Sequence, residues 1–181
     1  MAEKPEVFII DSNALVRPYR EFYPFDFAPS FWDALAREII NKRIVLLDSV
    51  FKELTRAPKD KEDALSRWIK SIDGLKPLSH KDDAIIQNYR KVLTYIQNCG
   101  FYKERALANW SAEDIADPWI IASAMVNNYT VITMESGAGS LQKNQPSSNA
   151  KIPDICKQFN VKCENLFYLI RALSFKLGGV N

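Results

Sequence analysis

The chain of 181 residues holds a single histidine, His80, and that scarcity removes several kinds of chemistry at once. Paired-histidine nucleases, His-rich zinc sites and H-E-x-x-H peptidases all need at least two imidazoles. A Ser-His-Asp triad using His80 would also want a G-x-S-x-G elbow, which the sequence does not contain. In the stretch PLSHKDD, His80 reads as a surface residue. Cysteine is sparse too: Cys99, Cys156 and Cys163 form no C-x-x-C pair, so neither a disulfide framework nor a thiolate zinc site is indicated. No apolar run approaches the roughly 18 residues that span a bilayer, and the polar start MAEKPE lacks a signal-like segment. A soluble protein of the reducing cytoplasm is expected. Charge of one sign is missing as well. With 24 basic against 22 acidic residues, net +2, the chain is no polycation, and any nucleic-acid contact must come from a local patch.

What remains is an ordinary globular composition, 47% hydrophobic and 25% charged, in a chain of single-domain size. We expect one domain over residues 1–181. Short continuous apolar runs at 7–10 (VFII), 43–48 (RIVLLD) and 129–134 (YTVITM), with a weaker one at 161–163, have the pattern of strands buried on both faces. Helical periodicity falls between them, at 31–40, 49–56, 63–72, 84–98, 118–128 and 165–177. Alternation of this kind argues for an α/β fold in three layers around a mainly parallel sheet. Segment 17–30, rich in proline and aromatics, reads as a long connection packed by its rings, and 136–150 (SGAGSLQKNQPSSNA) as a mobile surface loop of linker composition. The SGAGS within it matches neither G-x-G-x-x-G nor the P-loop pattern.

Ligands of open parallel sheets bind beyond the carboxyl ends of the strands. Asp11 directly follows the first apolar run, in FIIDSN, and Glu135 follows the third, in VITMES. Glu53 lies in the helix after the second strand, and Asp117 in ADPWIIASA is a natural cap for a helix with Pro118 in its first turn. Each acid alone has a structural explanation: capping for Asp117, helix-dipole compensation for Glu53, loop exposure for Glu135. Asp11 is the hardest to explain so, because an acid beside a buried strand must be solvated or paired. Asp114 rivals Asp117 for the third position, and Asp48 reads as the cap of the helix that follows it.

Four carboxylates converging from four segments would repel one another unless a cation held them. Oxygen donors without imidazole or thiolate favour Mg²⁺ or Mn²⁺. Such an ion lowers the pKa of a bound water, and a pair of them about 3.5–4 Å apart suits phosphodiester hydrolysis.

FIIDSNAL, VFKEL, ADPWIIASAM and YTVITMES, in this order over residues 7 to about 170, resemble the successive motifs of PIN-domain proteins, metal-dependent ribonucleases that often form the toxin half of toxin–antitoxin pairs. The resemblance implies a parallel sheet of about five strands, with Asp11, Glu53, Asp117 and Glu135 as catalytic metal ligands and Asn13 and Thr133 in support. It also implies an endoribonuclease using Mg²⁺ or Mn²⁺, a homodimer, an antitoxin partner and RNA as substrate. The fourth position is commonly aspartate; here it is Glu135.

Arg17 and Arg20, with Lys52, Lys59 and Lys61, are candidates for a groove along an RNA backbone, and Tyr19, Phe22 or Tyr23 for stacking on unpaired bases. Trp32, Trp68 and Trp110 read as core or interface anchors, and Trp119 as a wall of the acidic pocket. Two alternatives stay open. One is a module of the same fold that has lost turnover and acts through a protein partner. The other is a receiver-like domain, for which Ser12 stands where a second acid is expected and no well-placed lysine follows VITM.

Overall fold

The computed structural model describes residues 5–176, apart from the side chain of Lys59. The first apolar run forms β1 (Phe8–Ile10), whose three side chains are fully buried, as a strand covered on both faces requires. It pairs in parallel with β2 (Ile44–Val45) on one side and β3 (Thr130–Ile132) on the other, and β3 pairs in parallel with β4 (Cys163–Glu164). The sheet therefore has four parallel strands in the order β2-β1-β3-β4 among the described residues, flanked by helices.

The resemblance implied about five strands. Where a fifth would lie, outside β2, there is a single parallel bridge, Leu47 to Leu78, closed by Leu78 N–H to Leu46 O at 2.8 Å and Asp48 N–H to Leu78 O at 2.9 Å. Pro77 has no N–H to extend that pairing. The short bridged segment nevertheless delivers His80 beside the end of β2.

The helices are α1 (Asn13–Arg17), α2 (Pro29–Ile40), α3 (Asp48–Thr55), α4 (Ala64–Ser71), α5 (Asp83–Asn98), α6 (Glu104–Trp110), α7 (Asp117–Asn127), α8 (Ile152–Gln158) and α9 (Leu166–Ala172). Helix α7 packs on β1 and β3 and is covered in turn by α5, which explains its apolar body: Ile120, Ile121, Ala122 and Ala124 are all buried. Asp63, Asp82 and Asn165 cap α4, α5 and α9 by accepting from backbone N–H groups one turn on.

After α1 the helix widens into a π turn, Pro18–Phe22, closed by Tyr23 N–H to Pro18 O at 2.6 Å. The connection behind it is ordered by its rings, as the sequence indicates. Trp32 donates from Nε1 to Tyr23 O at 2.7 Å and stacks on Phe25 at 4.4 Å, with Trp68 edge-on at 4.8 Å. Segment 136–150 departs from its linker composition. Ser147 N–H bonds Phe101 O at 2.8 Å, Lys103 N–H bonds Ser147 O at 2.9 Å, and Ala138 N–H bonds Asp154 Oδ2 at 2.9 Å. Gly137 leaves room for this approach: a Cβ there would sit 2.7 Å from Asp154 Oδ1 and force the carboxylate to shift.

Candidate active site

Parallel strands bring their carboxyl ends to one edge of the sheet, and the residues just past β1 and β3 meet there. Asp11 N–H extends the ladder to Ile132 O at 2.9 Å, and Thr133 N–H reaches Glu164 O at 3.1 Å. Asp11 is only 3% exposed, and Thr133 is buried beside it. The Thr133 hydroxyl lies 2.8 Å from Asp11 Oδ2 and 3.2 Å from Asn13 Oδ1. Its one proton belongs to the carboxylate, the shorter and charged contact. The same oxygen accepts from Glu135 N–H at 3.1 Å.

Helix α1 grips the backbone of the next residue, Met134, at both its N–H and its carbonyl. Asn13 Oδ1 accepts from Met134 N–H at 2.7 Å, and Arg17, one turn along, donates from Nη1 to Met134 O at 3.2 Å. Arg17 also pairs with Glu21 at 3.0 Å, so this cation is committed to holding the strand end in front of Glu135. Arg20 is exposed and lines a shallow cavity with Tyr19, Phe25 and Asp63. Tyr19 and Tyr23 are occupied with Phe25 and Phe31, whereas Phe22 is exposed and meets Phe167 edge-on. Lys61 is exposed, and the Lys59 side chain lies outside the described residues.

Asp117 does not cap its helix. Helix α7 begins on Asp117 with Ala116 in the capping place, and no side-chain cap bond forms. The carboxyl lies instead within electrostatic reach of Asp11, Glu135 and Glu53. Burial, reinforced by those like charges, pushes Asp117 up to about 7. Burial does the same to Asp11, pushing it up to about 6 against the opposing Thr133 bond. Asp114 stays at the surface, 3.3 Å from Lys52. Glu53 is exposed on α3 and accepts from Ser12 Oγ at 3.1 Å. Glu135 has both oxygens engaged, Oε1 by Lys151 Nζ at 3.0 Å and Oε2 by Ile152 N–H at 3.1 Å.

All four sequence-indicated acids thus share one electrostatic neighbourhood. Among the described residues, however, no three His, Cys, Asp or Glu side chains are already closed around a common point. Ser12 draws Glu53 aside and Lys151 draws Glu135 aside. The donor chemistry fits a hard divalent cation. Burial and the neighbouring carboxylates make Asp11 and Asp117 harder to ionise, and a cation held by them would relieve both penalties.

His80 is not the free surface residue that its sequence context suggests. Asp48 accepts from its backbone N–H at 3.3 Å and lies 2.6 Å from its Nδ1. A carboxylate offers only acceptors, so the proton of this contact sits on Nδ1. The ring packs 4.7 Å from Trp119, which stacks on Tyr89 at 3.7 Å. Asp48 is correspondingly not the cap before α3. It is the first residue of that helix, with Leu47 in the capping place. His80 and Asp48 line a cavity of about 550 Å³ together with Lys52, Glu53, Arg56 and Lys81. The pair leaves no mark in the local sequence, because the Leu47–Leu78 bridge that joins the two segments has no local signature.

The fold is α/β of the PIN-like type. It is similar to the crystal structure of VapBC2 from Rickettsia felis bound to a DNA fragment from their promoter, with a TM-score of 0.52 at 14% identity over 88% of this chain and 98% of that one. Residues 8–177 match the family described as Domain of unknown function (DUF4411), and the chain belongs to that family. No curated protein shows significant sequence similarity to it.

Proposed function

We propose that the protein is a metal-dependent endoribonuclease and the toxin member of a toxin–antitoxin pair. The observation that carries this reading is the meeting of Asp11 and Asp117 at the carboxyl edge of the sheet, both held well above the ordinary carboxylate range by burial and like charge. Asp11, Asp117 and Glu53 would hold Mg²⁺ or Mn²⁺, with Glu135 as the fourth acid at the rim. Such an ion supplies Lewis acidity and countercharge for a phosphodiester.

The chain's own groups do the rest. Thr133 keeps the Asp11 carboxylate oriented and favours its ionised form. Asn13 and Arg17 fix the Met134 peptide, and with it the path of the chain into Glu135. Arg20 is our candidate for contact with the RNA backbone, and Phe22 for stacking on an unpaired base. Similarity in fold to VapBC2, whose structure holds promoter DNA, supports an antitoxin partner for this chain. A homodimer working in the cytoplasm, built of one domain per chain, is part of the same reading. Among the described residues no helix is long and apolar enough to cross a membrane.

The test is cleavage of end-labelled single-stranded RNA by the purified protein in Mn²⁺, in Mg²⁺ and in chelator. Cleavage that requires the metal supports the reading. Metal binding without cleavage points to the partner-dependent module, a reading favoured by the engagement of Glu135 with Lys151.

A further inference from the structure

Glu135 has both of its carboxylate oxygens engaged by two successive residues of the chain. Its Oε1 takes the Lys151 ammonium at 3.0 Å and its Oε2 the Ile152 N–H at 3.1 Å. Successive residues therefore grip the two oxygens of one carboxylate. The pair is sheltered, Glu135 being 20% and Lys151 39% exposed, so it is held more firmly than a fully solvated surface contact. Lys151 also acts on a second acid of the cluster, since its charge opposes the rise of Asp117. One ammonium thus lies in the field of both Glu135 and Asp117.

The backbone sets this position. Segment 136–150 leaves Glu135 and returns to Lys151, pinned through Ala138 to Asp154 and through Ser147 to Phe101. Lys151 is the extended residue immediately before α8, and the Ile152 N–H bond to Glu135 locks the register. A metal ion taking Glu135 as a ligand would have to break the ion pair and displace a cation from the same neighbourhood. The countercharge that a second ion would bring is already there.

Resting on the metal-site reading above, we propose that Lys151 stands in the place of a second cation, so that the acidic site takes one divalent ion, on Asp11, Asp117 and Glu53, with Glu135 serving as the lysine's counterion. The substitution of glutamate for the aspartate usual in the resembling family is consistent with this role. The longer side chain reaches the ammonium of a residue sixteen positions on.

The experiment is calorimetric titration of Mn²⁺, with electron paramagnetic resonance on the same samples, for the wild type and for Lys151→Met, Lys151→Arg and Glu135→Gln. Wild type and Lys151→Arg are expected to bind one Mn²⁺ per chain with an uncoupled spectrum. Lys151→Met is expected to bind two, with the spin coupling of neighbouring ions. Glu135→Gln separates the idea from any folding defect of Lys151→Met: it removes the lysine's counterion but no proposed ligand, so it should still bind one Mn²⁺ with an uncoupled spectrum. Two ions in the wild type, one ion in folded Lys151→Met, or no bound ion in folded Glu135→Gln overturns the proposal. Absence of Mn²⁺ binding by the wild type overturns the metal-site reading itself, a result distinct from the other three.

Discussion

The hydroxyl of Thr133 donates to Oδ2 of Asp11 at 2.8 Å, joining two residues 122 positions apart at the ends of adjacent parallel strands. The bond favours the ionised carboxylate against burial that opposes it. Thr133→Val keeps the shape and removes the donor. We expect a stability loss of about 1–2 kcal/mol, a further rise in the pKa of Asp11, and weaker Mn²⁺ binding near neutral pH as the proton competes better. Denaturant unfolding and Mn²⁺ titration check this. Unchanged metal affinity would show that the hydroxyl does not tune the carboxylate.

The metal-free protein should become less stable as pH rises from about 4 to about 7. In the folded state Asp11 is pushed up to about 6 and Asp117 up to about 7, against an ordinary 3.8. Between those values the native chain binds more protons than the unfolded chain, and raising the pH removes that advantage. Glu21, held low by its bond to Arg17, and Glu62, held low by Lys70, act in the opposite sense only around and below 4.5. In chelator, Asp117→Asn should flatten the dependence and add roughly 1–3 kcal/mol at pH 8. Thermal melts at stepped pH measure it, at about 2–4 °C per kcal/mol. Stability rising with pH over this window would contradict the arrangement.

Asn13→Ala should destabilise by about 1–3 kcal/mol, because it leaves the partly buried Met134 N–H without its acceptor. Arg17→Ala frees the Met134 carbonyl and should cost less, because a carbonyl with two lone pairs tolerates the loss of one donor better than an N–H tolerates the loss of its acceptor. The two should couple in a double-mutant cycle, since both hold the backbone of one residue, Met134. Strict additivity in that cycle would mean that the residues act independently.

Asp48→Asn should loosen His80 without emptying the cavity they line. The amide cannot match the carboxylate as acceptor for Nδ1–H at 2.6 Å, so the imidazole loses its fixed tautomer and its seat against Trp119. The expected readouts are a moved His80 ring resonance and altered Trp fluorescence. Identical spectra in the variant would show that the Asp48 contact does not hold the ring.

Strand β1 and the acid behind it were legible because a fully buried run followed by a carboxylate has few structural explanations, and the D-P-W start of α7 was legible for its helix. The sequence left Asp117 between two readings, a helix cap and a member of the acidic cluster. Asp117 is the first residue of the helix, with Ala116 in the capping place, and its carboxyl lies in the field of Asp11, Glu135 and Glu53. The Lys151 partner of Glu135, the Asp48 partner of His80 and the pinning of segment 136–150 depend on tertiary closure over many residues. Nothing in the local pattern encodes them. Composition marked 136–150 as linker because its side chains bury little; its order comes from backbone bonds to Phe101 and Lys103 and from a close approach at Gly137.

The most direct measurement is the rate of Mn²⁺-dependent cleavage of one single-stranded RNA by the wild type and by Asp11→Asn, purified in parallel. The variant keeps shape and the Thr133 contact while removing the negative charge at the centre of the cluster. The nuclease reading predicts a loss of about a hundredfold or more, comparable to removing a principal electrostatic contributor at other active sites. A variant that cleaves within a few-fold of the wild type would place the activity elsewhere and contradict it.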